Sequence, residues 1–178
     1  MKYISFLMML FAFSSISLAK NGTIYQFESV NRGKIEVKAL PNKLKFSGME
    51  GKIVELAFIS QNYLSFDLIM NFNKMKEKYD DFDVVAIFHG TKEEIKSFVK
   101  EAGIENDINF PIISVNDAKS FFKMITNRSG GLTAYIPFII TISKDGSIEF
   151  LDAKQYMGEL TLDKMEYYYK NSNRFLSS

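Results

Sequence analysis

The 178-residue chain has a single histidine, His89, and no cysteine. Those counts bound its chemistry before any element is placed. Without a thiol there is no disulfide, no thiolate nucleophile and no cysteine metal ligand. An imidazole can do acid–base work near neutral pH. His89 follows the apolar run Asp83 to Phe88, but no nucleophile is set beside it in sequence. It therefore reads first as a solvated or hydrogen-bonded structural residue. Copper held between thiolates and an imidazole fails for want of the thiolates. Tyr63 offers the other group of interest, a phenol that is mostly protonated at neutral pH with an ordinary pKa of about 10. The methionines after Ala19 show no clustered spacing and suit core packing. Asp80, Asp81 and Asp83, like Lys74, Lys76 and Lys78, read as the solvated faces of a turn and a helix end. No cofactor and no metal is expected.

Any such group must be carried by a fold, and composition limits which. Hydrophobic residues make up 47% of the chain, enough for one sizeable core and one domain. The formal net charge of +1, from 22 basic and 21 acidic residues, supplies no field for nucleic acid or an anionic membrane. Residues 1–19 read as a secretory signal: Lys2, an apolar run from Ile4 to Phe13, and Ser17-Leu18-Ala19 as a cleavage site. The run is shorter than the roughly 20 residues of a spanning helix, so cleavage is expected. Residues 20–178 would then form one domain, periplasmic or secreted, with no integral span and no cysteine to accept a lipid. Heavy use of Lys, Asn, Ile and Phe suits an AT-rich bacterial genome.

The mature chain reads as alternating strands and helices. Thr23 to Ser29 and Lys34 to Lys38 flank the turn-forming Val30-Asn31-Arg32-Gly33, which predicts an N-terminal β-hairpin. Pro41-Asn42 and Gly48 to Gly51 punctuate the approach to Ile53–Ile59, an apolar run that reads as a strand buried on both faces except for Glu55. A helix starts near Tyr63 or Leu64, with Leu64, Leu68, Phe72 and Met75 at helical spacing. Asp83 to Phe88 is a second buried strand. Thr91-Lys92-Glu93-Glu94 is a capping box opening a helix to about Ala102, stopped by Gly103. A short strand from Phe110 and a short helix over Asp117 to Met124 follow, then a looser segment from Thr126 to Tyr135 containing Gly130-Gly131. Phe138 to Ser143 and Ile148 to Leu151 form a hairpin around Lys144-Asp145-Gly146-Ser147. Thr161 caps a last helix through Leu162, Met165 and Tyr169. The sum is α/β, a central mixed sheet flanked by helices.

Four stretches in this order resemble the thioredoxin-like fold, and within it the exported TlpA-like and ResA-like thiol-disulfide oxidoreductases. Gly51-Lys52-Ile53-Val54 followed by Phe58 looks like the strand before that family's active site. Asn109-Phe110-Pro111-Ile112 looks like its middle strand. Tyr135-Ile136-Pro137-Phe138, with Lys144-Asp145-Gly146 after it, is similar to its cis-proline segment and hairpin turn, and Gly158 before the last helix also fits. The likeness spans roughly Lys34 to Tyr169. It sets the family's two cysteines on Tyr63 and Phe66, so that its C-x-x-C reads Tyr63-Leu64-Ser65-Phe66.

The resemblance therefore implies a fold whose chemistry is gone. Dithiol exchange needs a thiolate at a helix start to attack a disulfide, and a second thiol to resolve the mixed disulfide. Tyr63 and Phe66 do neither. The family's peptide-recognition surface can outlast its thiols. By resemblance the backbone of Ile136, before Pro137, would pair with an extended segment, and Tyr63, Phe66 and Tyr135 would supply an apolar patch. Against this stands the simpler reading that Tyr63 and Phe66 fill the vacated space and pack inward. The glycine-containing Asn127 to Ala134 stretch would cover or shape the site. The expected role is a binding adaptor, chaperone-like module or assembly factor for an envelope protein or peptide segment. Two further readings stay open: an enzyme using Tyr63 or His89 for non-thiol chemistry, and a structural remnant that binds nothing specific.

Overall fold

The computed structural model describes residues 22–128, 137–149 and 161–172. Their order is β1 (Thr23–Ser29), β2 (Gly33–Leu40), β3 (Lys43–Phe46), β4 (Ile53–Ile59), α1 (Tyr63–Lys78), β5 (Phe82–Phe88), α2 (Lys92–Glu101), β6 (Ile112–Ser114), α3 (Lys119–Arg128), β7 (Phe138–Ile142), β8 (Ile148–Glu149) and α4 (Leu162–Ser172). A five-stranded sheet runs β6-β5-β4-β7-β8. β4 pairs in parallel with β5 and antiparallel with β7, so the sheet is mixed and β4 is central. Every residue of β4 and of β5 is buried, which is why both read as continuous apolar runs.

The expected N-terminal hairpin is part of a larger unit. β1, β2 and β3 form a separate antiparallel sheet of three strands. The third strand hides in sequence because it is only four residues long, between Pro41-Asn42 and Gly48. Its alternation is nevertheless sound: Leu44 and Phe46 point inward while Lys45 points out. This sheet and α3 cover one face of the central sheet, where Phe27, Val37, Leu44 and Phe46 join Leu56, Phe58, Phe121 and Ile140 in one apolar cluster. The opposite face packs α1, α2 and α4 through Leu68, Phe72, Ile95, Phe98, Met165 and Tyr169. The result is three layers with two cores.

Local chemistry sets the element ends. Thr91 caps α2 by accepting from the Glu94 amide at 3.2 Å, while Glu94 Oε2 accepts from the Thr91 amide at 2.6 Å, completing the capping box. Gly103, at φ +67°, ends that helix in a conformation glycine adopts without strain. In the β1–β2 turn, Asn31 grips the approach to β6 from both sides. Its Nδ2 donates to Phe110 O at 2.9 Å and its Oδ1 accepts from the Ile112 amide at 3.1 Å.

Helix α3 starts later and runs further than expected. Asp117 lies in a turn whose amide, like that of Ala118, donates to Ser114 O. Phe121 and Ile125, four apart and both buried, carry the helix past Met124 to Arg128, so the expected loop does not begin at Thr126. In α1 the buried residues are Ser65, Leu68, Ile69, Phe72, Asn73 and Met75, and Leu64 is 46% exposed. Helical spacing fits a face that begins at Leu64 or at Ser65; a serine in the inward position disguised the choice. The signal segment, Gly130-Gly131, Tyr135, Ile136, Leu151 and Gly158 lie outside the described residues.

Candidate functional site

The C-terminal ends of β4, β5 and β6 meet the N-terminus of α1 at one end of the sheet, where ligands collect in open α/β folds. The Ile59 carbonyl accepts from the His89 amide at 2.8 Å, and Phe88 O accepts from the Val115 amide at 2.8 Å. Ser114 Oγ donates to Gly90 O at 2.5 Å. These bonds hold the strand ends together as a shelf.

Helix α1 opens on that shelf with a closed polar knot. Asn62 is the N-cap, in extended backbone, and its Oδ1 accepts from the Ser65 amide at 2.8 Å. Its Nδ2 donates to Ser60 Oγ at 2.7 Å, and Ser65 Oγ, fully buried, accepts from the Ser60 amide at 3.1 Å. A helix N-terminus favours a thiolate or other anion through its unsatisfied amides. Here the third amide of the helix is already taken by Asn62. The sequence signal for this cap is an asparagine immediately before an apolar-periodic run.

The expected patch residues divide. Tyr63 is 70% exposed and Leu64 beside it 46%, two of four large hydrophobic side chains exposed among the described residues. Phe66 is half-buried and packs against the core cluster of the α1 face. Inward packing therefore describes Phe66 and not Tyr63. Pro137 is half-buried just before β7. Because Phe58 pairs with Phe138, the register continued by one residue sets Pro137 opposite Ile59, four residues before Tyr63. Tyr135 and Ile136 lie outside the described residues. A groove of about 320 Å³ runs from Tyr63 along Asp67, Asn71 and Lys74 of α1 to Thr161 and Leu162.

His89 is exposed at the end of β5. The hydrogen bonds with Thr91 hold the Glu94 carboxyl below the usual range, with His89 a minor contributor. Among the described residues no group of three or more His, Asp and Glu side chains is placed to hold a metal ion. The most perturbed acid near neutral pH lies inside the sheet. Burial pushes the Glu55 carboxyl up to about 7, with Thr141 pulling the other way and Glu149 adding to the rise. Glu55 stood out in sequence as the one charge in an apolar strand, but nothing local named its partner.

No family model matches the sequence, and the search of curated proteins finds no match. Solved structures do match. A secreted disulfide oxidoreductase of Mycobacterium tuberculosis, homologous to E. coli DsbE, has 13% identity and a TM-score of 0.55, over 79% of this chain and 90% of that one. The exposed lipoprotein thioredoxin of Streptococcus pneumoniae has 17% identity and a TM-score of 0.56, over 84% of this chain and 99% of that one. A thioredoxin-family thiol:disulfide interchange protein of Chlorobium tepidum has 15% identity and a TM-score of 0.56, over 85% and 94%. The chain has the thioredoxin-like fold that its ordered motifs led one to expect, and it has that fold without a cysteine.

Proposed function

We propose that this thioredoxin-fold chain is a redox-inactive envelope protein that binds an extended segment of a partner polypeptide at the C-terminal end of its sheet, as an adaptor, chaperone-like module or assembly factor. The observation that carries the reading is the exposure of Tyr63 and Leu64, 70% and 46%, in the first turn of α1. Burying these side chains in their own core would be the ordinary fate of such residues; presenting them to solvent leaves apolar area for a partner. Tyrosine is favoured as an interface anchor because it offers a large rigid surface with a polar tip.

Loss of dithiol exchange follows from composition, since every step of that reaction needs sulfur. Export rests on the Lys2, Ile4 to Phe13 and Ser17-Leu18-Ala19 pattern. It agrees with fold neighbours that are themselves secreted or exposed, and among the described residues no helix is long and apolar enough to cross a membrane.

The test is affinity capture from the envelope fraction after crosslinking, comparing wild type with Leu64→Asp and with Lys92→Gln as a surface control. A small set of proteins retained by wild type and Lys92→Gln but lost with Leu64→Asp supports the reading, and direct titration of one purified partner then confirms it. Equal capture by all three chains overturns it.

A further inference from the structure

Two carboxyl groups stand in one row of the central sheet. The register sets Val84, Glu55, Thr141 and Glu149 side by side across β5, β4, β7 and β8, so these side chains share a face. It is the face on which α1 and α4 pack, through Phe72, Met75 and Met165 among others. Of the titratable groups those helices bring to the sheet, Tyr169 donates to Asp81 and Lys76 is bound to Asp83. Lys78 is bound to Glu166. Glu149 acts on Glu55 as a like charge, and no lysine or arginine offsets it. Asp145, itself held by Lys43, adds to the negative surroundings of Glu149. Burial already pushes the Glu55 carboxyl up to about 7, so the row changes charge near neutral pH.

The strands in this row are unequally held. β4 and β5 are buried throughout and pair from Ile53 with Phe82 to Ile59 with Phe88. β8 is the outermost strand and has two half-buried residues, paired only as Thr141 with Glu149 and Ile142 with Ile148. One further bond ties it to the other sheet, from the Ile148 amide to Asn42 O at 3.3 Å. A short edge strand with few buried contacts is the part of a sheet that opens at least cost.

We infer that this row is a pH-operated latch on the sheet edge: β8 lies closed on β7 while Glu55 is protonated and comes away when Glu55 ionises. Opening brings water toward the new carboxylate and carries Glu149 away from it, relieving desolvation and repulsion together. It also frees the outer edge of β7. The latch does not depend on polypeptide binding at Tyr63. Relaxation dispersion of backbone amides in isotope-labelled protein, at about pH 5.5 and about pH 8.5, is the test. Exchange broadening is expected at Ser143, Ile148 and Glu149 at the higher pH only, and at neither pH for Ala86 of β5. Glu55→Gln, neutral and nearly the same shape, should abolish it, and Glu149→Gln should cut the open population at least about threefold. No broadening in wild type at the higher pH, broadening shared by Ala86, broadening that persists in Glu55→Gln, or an open population unchanged in Glu149→Gln overturns the inference.

Discussion

Thr141 presents its hydroxyl to Glu55 across the β4–β7 pair, with Oγ1 2.9 Å from Oε2 and 3.2 Å from Oε1, and both residues are buried. They are register partners, so the hydroxyl is the carboxyl group's hydrogen-bonding neighbour on the strand beside it. One neutral donor does not repay the desolvation of a full negative charge. The carboxyl group therefore keeps its proton to about pH 7.

This makes stability depend on pH in a defined direction. The folded value of about 7 lies above the ordinary 4.5. Between those values the folded chain holds a proton that the unfolded chain has released, so the Glu55 contribution to stability falls as pH rises and the penalty is complete above about pH 7. At ~1.4 kcal/mol per unit the full swing is ~3 kcal/mol. Urea unfolding at about pH 5 and about pH 8 should show wild type losing ~2 kcal/mol or more across the interval, and Glu55→Gln losing much less of it.

The Asn62 cap yields a second prediction. Asn62→Ala removes the acceptor of the Ser65 amide and the donor to Ser60 Oγ. Loss of an N-cap costs ~1 kcal/mol. Because the Ser65 side chain it helps to fix is fully buried, the cost should fall at the upper end of the ~0.5–2 kcal/mol range. Asn62→Asp, which keeps the cap acceptor, should recover most of it. Chemical denaturation of the three chains checks the ranking.

The same two sites show what the sequence made legible. β4 appeared in full because it is apolar on both faces, and α2 because Thr91 and Glu94 form a reciprocal cap within four residues. Both signals are local. Glu55 could be flagged as a misfit, but Thr141 lies 86 residues away and only the β4–β7 register brings it close. The inward face of α1 was misjudged at Leu64 because Ser65, its actual first buried residue, is polar. β3 was missed because a four-residue alternation between turn formers carries too little pattern. The match of Tyr63 and Phe66 to the two cysteine positions rests on resemblance alone, and in the structure Tyr63 is exposed and Phe66 half-buried.

Asp83 supplies a third prediction, opposite in sign to Glu55. Burial works against its charge, but Lys76, the Val84 amide and Lys52 outweigh burial and hold its carboxyl below the usual range. It is 6% exposed, with Lys52 Nζ at 3.1 Å and Lys76 in closer contact. Its contribution to stability is present at neutral pH and lost as pH falls below the ordinary carboxylate value. Asp83→Asn leaves two lysines without their counter-charge and one of them without its acceptor oxygen. A fully buried break costs ~3–5 kcal/mol; the partial exposure of Lys52 and Lys76 brings the expectation to ~2 kcal/mol, read by urea unfolding at neutral pH.

The last prediction tests the placement of the C-x-x-C positions on Tyr63 and Phe66 that the resemblance suggests. Tyr63 and Phe66 are the first and fourth residues of α1, a spacing that brings side chains onto one side of a helix. Tyr63 is open to solvent while Phe66 packs on the core cluster, the division of labour that an attacking and a resolving thiol require. Tyr63→Cys with Phe66→Cys should therefore close to an intramolecular disulfide under oxidised glutathione, read as disappearance of free thiol without dimer formation. In the single variants, alkylation should be at least about tenfold faster at the Tyr63 position than at the Phe66 position, because reactivity follows thiolate access. Two thiols that stay reduced, or that alkylate at equal rates, would count against matching Tyr63 and Phe66 to those positions and remove the argument that Tyr63 marks the recognition end of the sheet.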